Sequence, residues 1–193
     1  MQMGGSQVQK VELLDCLEQN PVVAAIGDDK WDEALAAPVQ VLFYLSANLL
    51  TVKERICQAH EAGRYILIHL DLAEGIGRDR AGIAYLAQMG ADGIISTRGQ
   101  MIQMAKDLGL MTVQRFFLLD SKGLESIEDM LRHTRPDFME LMPGVIGKSI
   151  KRFGRSGTPV IAGGLIETKA ELTEALGSGA TAVSTGRKEL WYL

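Results

Sequence analysis

Apolar residues along the chain fall into eight short runs, separated by segments in which apolar positions recur every three or four residues. The runs cover 22–26, 39–45, 65–71, 94–95, 111–119, 138–142, 159–162 and 180–183, and each gives way to a glycine or a polar exit. Between them the spacing predicts helices over 51–61, 79–88, 100–108, 124–133, 145–153 and 168–176, and a short one after Gly27-Asp28-Asp29 that ends near Ala37-Pro38. Thr51 is in place to cap the first of these. Continuous apolar runs mark strands buried on both faces, and their regular alternation with helices means a parallel sheet. The pattern predicts a compact α/β chain closed as a (β/α)8 TIM-like barrel. An open flavodoxin-like sheet is disfavoured, because eight strands exceed its usual number of about five.

The two ends of the chain refine this picture. Val8, Val11, Leu14 and Leu17 are at helical spacing before Asn20-Pro21, so an N-terminal helix over 8–20 precedes the first strand and is placed to close the barrel floor. The last helix has only Arg187 to Leu193 to draw on and is expected to be stunted. A thin outer ring there would leave Trp191 and Tyr192 to pack against a second copy, so a homo-oligomer and a monomer both stay open. At 193 residues the chain is expected to be one domain over 1–193, with short loops.

Composition narrows the partners. A formal net charge of −4 gives no global attraction to nucleic acid or acidic membranes, so a polyanion would need a local basic face. Cys16 and Cys57 have neither metal-ligand nor redox-pair spacing, and no apolar run reaches membrane-spanning length. A cytoplasmic protein without a membrane partner is expected.

In such barrels chemistry gathers at the carboxyl ends of the strands. The exit residues are Asp28, Ser46, Asn48, Asp71, Glu74, Thr97, Arg98, Asp120, Gly144, the Gly163-Gly164 pair and Ser184-Thr185-Gly186, with Arg115 and Glu140 inside strands five and six. Paired glycines after strand seven, and Ser-Thr-Gly after strand eight, put bare amides beside two predicted helix N-termini, which suits phosphate. His69 and Asp71 are two apart on a predicted strand and so share a face; with Arg115 and Glu140 they form a polar cluster where apolar fill is usual. Asp71 and Glu140 are candidates to accept hydrogen bonds from ligand hydroxyls, although Arg115 and Glu140 neutralising each other accounts equally for that pair. Nothing in the spacing selects a metal site from His69, Asp71 and Glu140. Gly144 to Ser149 fails as a nucleotide phosphate loop, and no strand or first exit position carries a Schiff-base lysine. No catalytic residue, metal or cofactor is assigned. A local basic cluster does exist, with Lys148, Lys151, Arg152 and Arg155 around one helix and Arg132, His133 and Arg135 near the end of the preceding one; neighbouring outer helices would join them into a patch able to meet a nucleic-acid backbone. Solvated faces with cations at helix carboxyl ends explain it equally well.

The runs His69-Leu-Asp-Leu-Ala-Glu-Gly75, Asp92-Gly-Ile-Ile-Ser-Thr-Arg98, Gln114-Arg-Phe-Phe-Leu-Leu-Asp-Ser121, Arg135-Pro-Asp-Phe-Met-Glu-Leu-Met-Pro-Gly144, Ile161-Ala-Gly-Gly-Leu-Ile166 and Ala182-Val-Ser-Thr185 with Leu190-Trp191 resemble the glycerol-3-phosphate-responsive antiterminator family, the glycerol uptake operon antiterminator regulatory proteins. The resemblance spans Asn20 to Trp191 with all motifs in order. It implies a barrel-shaped, non-enzymatic regulator that senses glycerol 3-phosphate and binds leader mRNA of glycerol-utilisation operons, preventing premature termination of transcription. Carried onto this chain, Gly163, Gly164, Ser184, Thr185 and Gly186 would hold the phosphate, and Asp71, Arg98, Arg115 and Glu140 would meet the glycerol end or shape the pocket. The basic residues Lys148, Lys151, Arg152 and Arg155 are the RNA-binding candidates. A small phosphosugar isomerase or lyase, with Asp71 or Glu140 as general base, is the alternative from the enzyme class.

Overall fold

The computed structural model describes residues 3–118 and 121–193, with the side chains of 3–9, 121 and 122 excepted. Eight parallel strands close into a barrel in chain order: β1 (Val22–Ile26), β2 (Val41–Tyr44), β3 (Tyr65–His69), β4 (Gly93–Ser96), β5 (Met111–Phe117), β6 (Phe138–Met142), β7 (Val160–Gly163) and β8 (Ala182–Thr185). Closure is made by β8 pairing with β1, where Val23 is opposite Ser184 and Ala24 opposite Thr185. The helices are α1 (Met3–Gln19), α2 (Trp31–Ala36), α3 (Val52–Glu61), α4 (Arg80–Met89), α5 (Gly99–Asp107), α6 (Ser121–Thr134), α7 (Gly147–Phe153) and α8 (Lys169–Gly177).

Two apolar cores follow from the alternation of side chains along each strand. One set faces the surrounding helices, with Ile26, Tyr44, Ile68, Ile94 and Leu141 packed on Trp31, Ile56, Ile83 and Phe153. The other set fills the barrel: Val23, Val41, Phe43, Leu67, Ile95, Val113, Phe138 and Ile161. Leu13 and Leu17 of α1 belong to this inner core, so the N-terminal helix does close the floor. Of the expected face, Leu17 is buried and Leu14 half-buried, the Val8 side chain lies outside the described residues, and Val11 points to solvent while Leu13 is buried in its stead.

Other differences have local causes. The third strand stops at His69, and Leu70–Leu72 turn as a 3-10 helix, so Asp71 is not on the strand that was to align it with His69. Thr51 makes no side-chain cap; Asn48 turns the chain instead, accepting from the Leu50 amide at 2.9 Å through Oδ1 and from the Thr51 and Val52 amides through its carbonyl. Leu119 and Asp120 lie outside the described residues. The chain ends in a 3-10 turn, Lys188–Tyr192, in place of a full helix. Trp191, expected as an exposed aromatic, is fully buried and donates from Nε1 to the Thr185 carbonyl at 2.9 Å, plugging the gap left by the missing helix; Tyr192 remains exposed.

Candidate functional site

Above the apolar fill, the last inward-facing layer before the mouth is polar. Ser184, Glu140, Arg115 and His69 occupy it, each two residues beyond an apolar inner position on its own strand: Ala182, Phe138, Val113 and Leu67. Arg115 and Glu140 are register partners on β5 and β6, and Arg115 Nε donates to Glu140 Oε2 at 2.5 Å. Glu140 Oε1 accepts from Ser184 Oγ at 2.6 Å. Glu140 is 1% exposed, so this chain of three groups is sealed from water on its β6 side. Gly163 completes it by having no side chain. A Cβ there would come within 2.5 Å of Glu140 Oε1 and 2.6 Å of Ser184 Oγ, which explains the glycine without invoking a ligand.

A cavity of about 360 Å³ opens on this layer, near the small end of the range usual for ligand pockets. Its walls include Arg115, Glu140, Ser184, Gly164, Gly186 and Lys30. Lys30 follows β1 at the end of a 3-10 turn, Asp28–Lys30, and its Nζ donates to the Gly186 carbonyl at 2.8 Å. Arg187 and Glu167 pair at 2.6 Å on the rim. Both carboxylates of the cavity therefore face an arginine, and Lys30 is the lining cation without a carboxylate partner among the described residues. Gly164 has φ +71°, a conformation natural to glycine, and a Cβ there would strike Met142. Among the described residues the amides of Gly164 and Gly186 donate to no protein acceptor. An ammonium with no carboxylate partner, beside two amides that donate to no protein acceptor and an arginine, makes a site for a small anion.

Several predicted site residues have other work. The helix N-terminus expected to face the phosphate is closed: Glu171 accepts from the Glu167 and Thr168 amides, while Thr168 Oγ1 accepts from the Glu171 amide, a capping box. The turn after β8 leads into only five residues of 3-10 helix. Thr185 points away from the barrel interior, its hydroxyl donating to the Ile166 carbonyl at 2.9 Å and accepting from the Arg187 amide. Asp71 does not face the cavity. Its Oδ1 accepts from Ser96 Oγ at 2.8 Å, and its Oδ2 from the Thr97 amide at 2.7 Å and the Thr97 hydroxyl at 2.8 Å. Burial alone would raise its pKa, but these three donors hold the carboxyl below its ordinary value. Asp71 is thus the clasp of the β4 exit, and Arg98, exposed at the start of α5, lines no part of the cavity. Asp28 serves the outer shell, accepting from Tyr44 Oη and pairing with Arg55, both at 2.9 Å.

His69 is the least satisfied member of the polar layer. It is 3% exposed, and neither ring nitrogen has a partner among the described residues. Burial, then the nearby Arg115 charge, depress its pKa to about 4, with Asp71 pulling weakly the other way. The imidazole is therefore neutral at pH 7. With a folded-state value below the ordinary 6.5, the unfolded chain takes up a proton that the native protein refuses as pH falls from about 6.5 to about 4. Stability from this source is full above that window and lost through it. In urea titrations between pH 7 and pH 4.5 the unmodified protein is expected to lose more stability than His69→Phe. Equal slopes for the two would assign the acid sensitivity elsewhere.

Of the basic residues, Arg132, Arg135, Arg152 and Arg155 line one groove at the opposite end of the barrel, together with Lys10 and Lys106, which the sequence pattern did not single out. Lys148 and Lys151 are exposed on α7 but do not line it. Among the described residues no group of three or more His, Cys, Asp or Glu is placed to hold a metal ion, and no helix is long and apolar enough to cross a membrane.

Comparison with known proteins bears on most of the chain. The family model described as glycerol-3-phosphate responsive antiterminator matches residues 22–191. The Escherichia coli K12 protein YgcP, described as uncharacterized, is 33% identical over 184 residues, covering 94% of this chain and 96% of its own. The crystal structure of the glycerol uptake operon antiterminator regulatory protein of Listeria monocytogenes superposes with a TM-score of 0.84 at 32% identity, covering 89% of this chain and 95% of the other. That of a glycerol uptake operon antiterminator-related protein of Thermotoga maritima gives 0.80 at 31% identity, covering 88% and 96%.

Proposed function

The chain belongs to the glycerol-3-phosphate responsive antiterminator family, and from that premise we propose that it is a cytoplasmic regulator that binds glycerol 3-phosphate and then leader mRNA of glycerol-utilisation operons, suppressing early termination of transcription. The observation that carries the ligand half is the cavity at the mouth, which Lys30, Gly164, Gly186 and Arg115 line together and where Lys30 has no carboxylate partner among the described residues. Phosphate oxygens would take the ammonium and the amides. The glycerol hydroxyls would lie toward Arg115, whose Nη groups have no partner among the described residues. Gly163, Ser184 and Glu140 act by fixing that guanidinium in place, and Thr185 by holding the β7 and β8 loops together. Asp71 and Arg98 shape the neighbouring loop without touching the ligand.

A sensor is favoured over a catalyst by the state of the carboxylates. Proton abstraction needs a base with a free oxygen within reach of the substrate. Glu140 has one oxygen on Arg115 and the other on Ser184, and Glu167 faces Arg187. Among the described residues, the buried carboxylate of the cavity, Glu140, thus has both oxygens engaged, which favours holding a phosphorylated polyol over abstracting a proton from it.

Transmission needs an element whose equilibrium the ligand biases. The Gly144 amide donates to the carbonyls of Gly163 at 2.6 Å and Gly164 at 3.1 Å, so the turn that leads into α7 is tied to the loop that would close on phosphate. In transcription assays across a glycerol-operon leader terminator, the full-length fraction is expected to rise with protein plus glycerol 3-phosphate and not with protein plus glycerol. Read-through that ignores the ligand, or turnover of the ligand by the protein, would overturn this reading.

A further inference from the structure

We infer that the RNA-facing surface is the groove at the floor end of the barrel, between α6 and α7, on the far side from the sensor cavity; the inference rests on the antiterminator reading above. The groove measures about 670 Å³ and gathers cations that are distant in sequence: Lys10 of α1, Lys106 of α5, Arg132 and Arg135 from the end of α6, and Arg152 and Arg155 around the end of α7. Six cations stand there against two carboxylates, Glu128 and Asp137, in a chain whose formal net charge is −4. Folding has thus segregated positive charge onto one face, the arrangement a polyanion requires.

Three of the six are paired: Asp137 is 3.9 Å from Lys10 and spends its other oxygen on Thr112, Glu128 holds Arg152 Nε at 2.7 Å, and Asp129 pairs with Arg132. Arg135 and Arg155 have no carboxylate partner among the described residues. Arg135 is one of two non-glycine residues with positive φ among the described residues, at 45°, and its carbonyl accepts from Lys106 Nζ, which draws the α5 end to the groove. Leu131, Pro136 and Phe153 lie buried beneath the cations, so the groove presents a charged rim on a packed apolar floor. Given the antiterminator reading, that rim is assigned to the phosphates of a leader RNA segment rather than to an acidic peptide.

The same α7 whose leading turn is bonded to Gly163 and Gly164 ends at Phe153, between Arg152 and Arg155, so one short helix connects the sensor mouth to the groove. Lys148 and Lys151 lie outside the groove and are assigned no phosphate contact.

The test compares full-length protein carrying Arg135→Ala, Arg152→Ala and Arg155→Ala with a Lys148→Ala, Lys151→Ala variant, both in saturating glycerol 3-phosphate, by filter binding to leader RNA across a salt series. Each phosphate contact on a single strand contributes about 0.7 to the slope of log K against log salt, so the groove variant should lower the slope by about 2. It should also lose at least tenfold in affinity at low salt while keeping the ligand-induced rise in melting temperature. The α7 lysine variant should bind as the unmodified protein does. An unchanged slope in the groove variant, or the loss appearing in the lysine variant, overturns the assignment and leaves the antiterminator reading intact. Failure of the unmodified protein to bind leader RNA at all, including the case where an acidic polypeptide occupies the groove instead, overturns both.

Discussion

Glu140→Ala is expected to cost about 3–5 kcal/mol of folding stability, the range found when one partner of a buried ion pair is removed. The substitution would leave the Arg115 guanidinium, 8% exposed, without its counter-charge in the barrel, and would take the acceptor from Ser184 Oγ. Both groups would remain away from bulk water, which is why the loss should exceed that of a surface pair several-fold. Gly163→Ala should fail in the same direction from the other side, since its Cβ would be forced against Glu140 Oε1 and Ser184 Oγ. The measurement is the urea midpoint at constant slope. Replacing both charges, Arg115→Met with Glu140→Met, should restore much of the stability, because apolar groups of similar volume often substitute for a buried pair without loss. That double variant should still bind no glycerol 3-phosphate. A stable double variant with undiminished ligand affinity would show that the pair is only structural.

Much of the fold is legible in the chain because burial on both faces keeps most positions of a strand apolar. β1 and β6 occupy the residues their apolar runs define, 22–26 and 138–142. Elsewhere apolarity overshoots the ladder. Val39 is buried outside β2, and Leu70 is buried in the 3-10 turn after β3, so an apolar run marks a buried segment whether or not it pairs. The N-terminal helix shows the converse: a helical repeat can be read in more than one phase, and only the barrel floor selects Leu13 over Val11.

The candidate site divides along similar lines. Arg115 and Glu140 are conspicuous because charge inside an apolar strand needs a partner, and adjacent strands supply it. Lys30 is not conspicuous. It is four residues past β1 in an ordinary charged turn, and it reaches Gly186 only because closure sets β8 beside β1. The acidic-acidic-basic turn Asp28-Asp29-Lys30 after the first strand, read against an anion site after the eighth, was the available signal. Asp71 misleads for the opposite reason. A carboxylate at a strand exit looks ready for a ligand, yet the Ser96-Thr97 turn of the next strand offers it three donors. Four of the groove's six cations, Arg132, Arg135, Arg152 and Arg155, belong to the clusters legible in the sequence, whereas Lys10 and Lys106 come from helices far apart in the chain and belong to no local cluster.

The second large effect is ligand-dependent stability, and it tests the central claim directly. A ligand that binds only the folded state at about 100 times its dissociation constant adds roughly 2.7 kcal/mol. For a domain of this length about 1 kcal/mol moves the melting temperature by roughly 2–4 °C, so glycerol 3-phosphate should raise it by about 5–10 °C. Inorganic phosphate should give a smaller rise and glycerol none, because the cavity must take both halves of the molecule. Lys30→Ala, which removes the lining ammonium without touching the Arg115–Glu140 pair, should fold normally and lose most of the shift. The measurement to make is therefore thermal unfolding of the unmodified protein and of Lys30→Ala with glycerol 3-phosphate, phosphate and glycerol in turn. A rise specific to glycerol 3-phosphate and dependent on Lys30 is the expected result. No rise with glycerol 3-phosphate, or one that Lys30→Ala leaves whole, would contradict the placement of the sensor at the mouth of the barrel.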